Sequence, residues 1–354
     1  MLNCNLESKK MEVLEIQNND KQTWNNFVKK NGTLLQSWQW GNLKEKFGWK
    51  VYHFAVCENS KWLVCALILS FKLPFGKSFF YIPEGPVFDK EITEKNVLKA
   101  FDVLIKKIKE LAQKEKAIFV RFEPFLQKDE PLSQKILDYF KEQKIIDSFE
   151  DMQSAHRLWI DLTKSETEIL SQMKHKGRYN IKIAQKNKIN IVKTNDIKML
   201  DEFYTLYKET AKRDKFGLRP KNYFNELFNV LAPEKMADLY FAYFQKTLVA
   251  SLFLTRFGKY ATYLYGASSS KFREKMPAYL LQWEAIQKAK KDGFLIYDFA
   301  AIAPSEKPHK WSGLRDFKMK FGGSQIDFLG CYDLVLSKFW YNLFKIVEKT
   351  RRNE

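Results

Sequence analysis

Cysteine and histidine are scarce in this chain, with four of each in 354 residues. Cys4, Cys57, Cys65 and Cys331 share no metal-ligand spacing, and Cys57 and Cys65 fall inside strand-like runs. No metal site is expected, and the thiols read as reduced core side chains. His53, His156, His175 and His309 stand in no triad-like or metal-like context, and no Gly-x-Ser-x-Gly elbow occurs, so covalent hydrolase chemistry has no carrier. Long hydrophobic runs are also missing. The longest, Trp62 to Phe71, falls far short of the roughly 20 residues a bilayer-spanning helix needs, and Met1 to Asp20 is polar without the apolar segment of a signal peptide. The expected location is therefore the cytoplasm. Acidic residues are outnumbered, 42 against 60 basic, for a formal charge of +18. That excess favours anionic partners such as tRNA, nucleotide diphosphates or an anionic membrane surface, although general lysine richness gives the same sum.

What the chain has in quantity is aromatic and aliphatic bulk. With 30 Phe, 16 Tyr, 9 Trp and 45% hydrophobic residues, 354 residues can fill two cores. The first half reads as a loose start, a short helix around Trp24 to Lys30, and a helix capped by Ser37. A hairpin (Tyr52 to Cys57, Trp62 to Phe71), a third strand (Phe79 to Ile82), an amphipathic helix (Val97 to Gln113) and a strand (Ala117 to Glu123) follow. The second half repeats that order. Leu239 to Phe244 and Leu248 to Arg256 form a hairpin, Ala261 to Tyr265 is the third strand, and a helix and strand complete the set. The succession is an internal duplication with few surviving identities. The fold class expected is α/β (α+β): two domains, each a mixed, mostly antiparallel sheet flanked by helices. Their expected limits are 1–152, completed by 328–354, and 153–327. The end of the chain, Tyr332 to Val347, reads as an aromatic amphipathic helix that packs on the first domain or rests on a membrane.

The most informative stretch is Met276 to Lys318. An amphipathic helix starts at Pro277, ends in a basic turn with Gly293, and feeds a buried strand, Phe294 to Ile302. A Pro- and Lys-rich loop (Pro304, Lys307, Pro308, Lys310) leads on to Gly313 and Phe321-Gly-Gly323. Tyr279-Leu-Leu-Gln-Trp-Glu284, Tyr297-Asp-Phe-Ala-Ala-Ile302, Gly313-Leu314 and Phe317-Lys318 with Phe321-Gly-Gly323, together with Gln36-Ser-Trp38 and Gly85-Pro-Val87, resemble the FemABX family of peptidoglycan-bridge aminoacyltransferases. The resemblance spans roughly Leu34 to Leu343. One departure is Ala300-Ala301, where Gly-Gly or Gly-Ala is common. The short stretch from Leu170 to Pro220 leaves no room for the coiled-coil arm of many relatives, so the chain resembles the compact, FemX-like form.

The resemblance implies tandem acyltransferase-like (GNAT-type) domains and transfer of an amino acid from aminoacyl-tRNA to the stem-peptide amine of UDP-MurNAc-pentapeptide or lipid II. It also implies no cofactor beyond the tRNA co-substrate. A monomer is expected, with peripheral contact at the inner face of the cell membrane left open. An aminoacyl ester is already activated, so the enzyme needs to align the amine, hold the oxyanion and move a proton. By position, Lys318 matches a lysine close to the ester, where an ammonium stabilises negative charge, against the alternative of an ordinary surface lysine. Arg219 and Tyr223 match an acceptor-binding pair on one helix face, and Lys44 a diphosphate contact from the first domain. Tyr263 and Tyr265 alternate with Leu264, so both are expected on one sheet face, where they meet the acceptor or stack in the core. Lys174, Lys176, Arg178 and Lys182 form a basic run that contacts a tRNA backbone or is simply solvated. Asp298 reads as a structural hydrogen-bond acceptor more readily than as a general base. Two other functions stay open: a GNAT-type N-acyltransferase, although neither Gly266 nor Gly85 opens the glycine-rich pyrophosphate turn of CoA enzymes, and a non-catalytic tRNA- or RNA-binding module.

Overall fold

The computed structural model describes residues 11–91, 93–304 and 312–353. Cys4 and the loop residues Lys307, Pro308, His309 and Lys310 lie outside them. The chain divides into two compact units, Met1–Ala155 with Asp327–Glu354, and His156–Ile326.

The first unit is built on strands β1 (Glu12–Glu15), β2 (Lys50–Glu58), β3 (Lys61–Lys72), β4 (Ser78–Ile82), β5 (Val87–Phe88), β6 (Ala117–Phe122) and β7 (Ile146–Asp147). The second contributes β8 (His156–Asp161), β9 (Asn190–Thr194), β10 (Ala237–Phe244), β11 (Thr247–Phe257), β12 (Tyr260–Ser268), β13 (Ile296–Ala301) and β14 (Ser324–Asp327), after which β15 (Tyr332–Val335) returns to the first. The helices, in chain order, are α1 (Lys21–Asn31), α2 (Trp38–Glu45), α3 (Glu94–Lys114), α4 (Pro131–Glu142), α5 (Glu166–Gln172), α6 (His175–Lys186), α7 (Leu200–Asp214), α8 (Lys221–Leu231), α9 (Pro277–Lys291), α10 (Ser312–Lys318) and α11 (Lys338–Asn353).

In the first unit the sheet runs β1-β2-β3-β4-β6-β15-β7, with β5 beside β3. Only β4 and β6 pair in parallel among the registers described. Residues Leu63 to Leu69 of β3 are continuously buried, which is why that run is apolar without alternation. Gln36 explains two of the sequence motifs at once. Fully buried, it accepts from the Leu67 amide at 2.7 Å and donates to the Pro83 carbonyl at 2.6 Å, and it packs so closely on Gly85 that a Cβ there would sit 2.6 Å from its Nε2. Gln36 therefore pins the turn of Gly85-Pro-Val87 to β3. Ser37 accepts from the Trp40 amide and caps α2, and Trp38 stacks on His53 at 3.9 Å. Burial holds the His53 imidazole down to a pKa of about 3, so it stays neutral.

Two readings of the sequence need correction here. Tyr332 to Val347 is not one helix, because Tyr332–Val335 is strand β15, paired with β6 and β7. The reason is Arg121, 2% exposed on β6, whose Nε and Nη2 each donate to Asp333 at 2.8 Å, while Nη1 reaches Glu150 at 2.8 Å. A helix at Asp333 would leave a buried guanidinium without its carboxylate. The expectation of reduced thiols holds for Cys65 and Cys331 and fails at Cys57, which is disulfide-bonded.

The sheet of the second unit runs β14-β8-β13-β12-β11-β10-β9, again with one parallel pair, β12 and β13, among the registers described. Helix α9 covers one face, burying Leu280, Leu281, Trp283, Ile286 and Ala289 against β10 and β11. The other face carries α7 and α8, whose Phe203, Phe224 and Phe228 pack edge-on around Phe253 and Tyr265. The chain between β8 and β10 is taken up by α5, α6, β9, α7 and α8, and no coiled-coil arm is present there.

Candidate active site

The parallel pair β12 and β13 organises the chemistry of the second unit. The β13 ladder to β8 shifts between Asp298 and Ala301, and Ala300 lies at φ +55°, in the left-handed region. The Asp298 carboxylate stabilises this break by accepting from the Ala300 amide at 2.7 Å, and it is paired with Arg157 at 3.0 Å. Both carboxylate oxygens are thus committed, so Asp298 is the structural acceptor. At the same break Phe299 and Ala301 turn their carbonyls to Lys318, whose Nζ donates to them at 2.6 and 2.7 Å.

Lys318 ends α10 and is 4% exposed. Burial drives its pKa from 10.5 to about 7; Asp298 favours the ammonium and Arg157 opposes it. An ammonium has three N–H groups, and two are spent on carbonyls. The third is available to an oxyanion, and the ring of Tyr263 lies 5.3 Å from Nζ. Ala300 lies in the left-handed region, where a residue other than glycine is strained. Ala300→Gly is accordingly expected to stabilise the protein by a few tenths to about 1 kcal/mol, read as a higher urea midpoint. A lower midpoint would show that Ala300 is not strained.

Tyr263 and Tyr265 do not share a sheet face, contrary to the alternation in sequence. The register with β11 shifts so that Phe253 faces Tyr265 and Leu254 faces Tyr263, leaving Leu264 as the extra residue of a bulge. Tyr263 therefore joins the α9 side with Leu254. Tyr265 joins the α7 and α8 side, within 5.0 Å of Phe224 and 6.1 Å of Tyr207. The Tyr263 ring lies along its own strand over Gly266, where a Cβ would be 1.9 Å from the phenol oxygen. Gln282 of α9 accepts from Tyr297 at 2.6 Å and also hydrogen-bonds Tyr263, whose pKa burial pushes up to about 12. Gln282 falls inside the Tyr279–Glu284 motif without a role being assigned to it, and nothing in the sequence marked Arg157, since each acts through a partner distant along the chain. Tyr279 stacks on Phe321 at 5.6 Å and meets Phe317 at 5.1 Å edge-on, so the helix motif and the Phe-Gly-Gly motif are two halves of one contact. Gly323, at φ +81°, lets the chain pass where a Cβ would stand 2.3 Å from the Trp159 carbonyl.

On the opposite side of the same strand lies a second group. Arg219 is not in a helix; it precedes α8, whose N-cap is Pro220, and its guanidinium sits 4.9 Å from the Tyr223 ring and 6.0 Å from that of Tyr265. The two phenols hydrogen-bond at 3.2 Å, and Tyr204 donates to the Arg219 carbonyl at 3.2 Å. Among the described residues no carboxylate pairs with Arg219. A guanidinium held by aromatic rings on an exposed residue, with no carboxylate paired to it among the described residues, is suited to a planar or phosphate anion.

Of the basic run, Lys174, which precedes α6, and Lys176 and Lys182 on α6 are exposed, next to the stacked His175 and Tyr179. Arg178 differs. Its Nη1 is turned to the carbonyls of Leu170, Ser171 and Met173, so it closes the end of α5. Lys44 belongs to the first unit, half-buried on α2 with Nζ 4.8 Å from the Trp40 ring. Among the described residues no cluster of His, Cys, Asp or Glu could hold a metal, and no helix is long and apolar enough to cross a membrane.

The sequence model of the FemAB family matches residues 20–246 and 234–349. A lipid II:glycine glycyltransferase of Staphylococcus epidermidis is 25% identical, with 96% of each chain covered, and its Staphylococcus aureus counterpart is 24% identical over the same shares. The first alignment runs over 411 positions, more than the 354 residues here, so that relative carries segments this chain lacks. The crystal structure of FemX superposes with a TM-score of 0.83 at 22% identity, covering 94% of this chain and 99% of FemX. A tandem GNAT protein from the clavulanic acid biosynthesis pathway superposes at 0.53. The fold is thus the tandem GNAT-like one, with two sheets flanked by helices.

Proposed function

Because the chain belongs to the FemAB family, we propose that it moves an aminoacyl group from aminoacyl-tRNA to the stem-peptide amine of a peptidoglycan precursor. The observation that carries this is Lys318, a buried amine with two N–H groups fixed on backbone carbonyls and a third free for the developing oxyanion. The acceptor amine attacks the ester carbonyl, the carbon–oxygen bond to the tRNA ribose breaks, and the amine proton passes to the leaving 3′ oxygen or to solvent. Lys318 as ammonium stabilises the tetrahedral stage without being consumed.

The Arg219, Tyr223 and Tyr265 group then takes the diphosphate of the precursor. It and Lys318 lie on opposite faces of the sheet, reached from Tyr265 and Tyr263 of one strand. Such separation suits a substrate whose diphosphate and amine are held apart by a sugar and several residues. Lys174, Lys176 and Lys182 meet the tRNA backbone by salt-sensitive pairing. The relatives' name makes lipid II the first acceptor to try.

The test is direct. Purified protein, a charged-tRNA mixture and either lipid II or UDP-MurNAc-pentapeptide are incubated, and the acceptor is weighed by mass spectrometry. A tRNA-dependent gain of one or more amino-acid residues is expected. No gain on either acceptor, with tRNA binding intact, would favour the RNA-binding module, and a gain from acyl-CoA would favour an N-acyltransferase.

A further inference from the structure

The first unit carries an apolar face that its own core does not use. Helix α11 packs inward through Tyr341, 4% exposed, and Phe344, which meets Phe79 and Phe119 at 5.4 and 5.2 Å. Its outward face is apolar too. Phe339, Leu343, Ile346 and Val347, spaced i, i+4, i+7 and i+8, are 72, 40, 63 and 53% exposed. A second element converges on that face. The turn between β3 and β4 holds Phe75 at φ +59° and 80% exposed, its ring 5.5 Å from Trp340. Two elements distant in sequence therefore present large side chains to solvent side by side, and one does so from a strained backbone.

Charge identifies the occupant. Lys338 and Lys349 are exposed along one flank of α11, Lys345 lies over Tyr341, Lys77 sits 5.5 Å from the Trp340 ring, and Arg351 extends from the last turn. Against them α11 sets the single carboxylate of Glu348, largely covered and paired with Arg351. An apolar stripe with a basic rim is the pattern of a helix lying in the headgroup region of an anionic bilayer. A protein-binding groove would be concave, whereas this face is a convex helix with a protruding turn. We infer that α11 and the Phe75 turn dock the first unit on a membrane surface rich in anionic phospholipid, with the apolar side chains entering the headgroup–acyl boundary and the lysines pairing with phosphates.

The inference is independent of the proposed transfer reaction, and its test contains no peptidoglycan precursor. Full-length protein is co-sedimented with vesicles of phosphatidylcholine alone and of phosphatidylcholine mixed with phosphatidylglycerol. Binding to the mixed vesicles is expected to be about tenfold or more the stronger, and to weaken with added salt. Phe339→Glu with Ile346→Glu is expected to reduce it about tenfold, and Phe75→Ser, on a different element, to reduce it in the same direction. Both variants should keep the wild-type circular dichroism spectrum. Equal binding to the two vesicle types, or wild-type binding by both variants, would overturn the inference. A dimer of the free protein that Phe339→Glu dissociates would overturn it as well, by assigning the face to a second copy of this chain.

Discussion

Lys318→Met should lower the rate constant for transfer about 10²–10³-fold while leaving the KM for the acceptor nearly unchanged, because the lost N–H acts on charge that exists only in the transition state. The pH profile identifies its role. The Lys318 pKa of about 7 means that the ammonium is lost as pH rises through neutrality, whereas an acceptor amine of ordinary pKa, about 10.4, gains reactive free base over the same range. For an ammonium acting on the oxyanion, kcat/KM should rise about tenfold per pH unit below pH 7 and level off above it as the two effects cancel. The methionine variant should rise through neutrality without a break. A wild-type profile that keeps rising above pH 7, and is steeper below it, would make Lys318 a base instead. Stability responds in a defined direction too. The unfolded chain keeps its proton up to about 10.5 and the folded one only to about 7, so the unfolded state binds more protons in between. This residue therefore makes the protein more stable as pH rises from 7 to 10.5, by up to about 1.4 kcal/mol per pH unit. Urea midpoints measured across that range should show a shallower rise in Lys318→Met.

Arg219→Ala is the second large effect, and it should appear in binding. Charge-assisted hydrogen bonds to an anion are worth about 1.5–3 kcal/mol, so the acceptor KM should rise roughly 10- to 100-fold with kcat little changed. Arg219→Lys should recover only a small part of this. An ammonium keeps the charge, but it neither stacks on Tyr223 and Tyr265 nor offers two parallel donors to a phosphate. Competition by a plain nucleoside diphosphate gives an independent reading, since its inhibition should weaken in both variants. An unchanged acceptor KM in Arg219→Ala would move the diphosphate elsewhere and leave Arg219 as packing for α8.

The site was legible where chemistry rests on local spacing. Ser37 before Trp38-Gln-Trp40 announced a capped helix, and α2 starts there. The Phe317-Lys318 motif, by its resemblance, singled out Lys318 as an amine close to the ester, against an ordinary surface lysine. It could not show that the amine is buried, because burial depends on the break in β13 and on Tyr263, which approach from other parts of the chain. The two tyrosines of β12 show the limit most clearly. Alternation is a property of a regular ladder, and one bulge residue, Leu264, sends them to opposite faces. Arg178 looked like any lysine-rich neighbour until its carbonyl partners on α5 were in view. The segment Tyr332–Val335 was misread because four residues carry too little periodicity to tell strand from helix, and the deciding partner, Arg121, is far away in the chain.

By itself the sequence determined the duplicated α/β architecture, and its motifs carried the resemblance to a family whose sequence model matches the chain. The architecture follows from hydrophobic period and turn residues and the resemblance from motif order, all of which are local. Only the tertiary structure decided the protonation of Lys318, the face each tyrosine occupies, the commitment of Asp298 to Arg157 and Ala300, and the outward apolar stripe of α11. Each of these is set by which distant groups exclude water from a side chain or satisfy its hydrogen bonds, and that is fixed only when the strands have paired and the helices have packed.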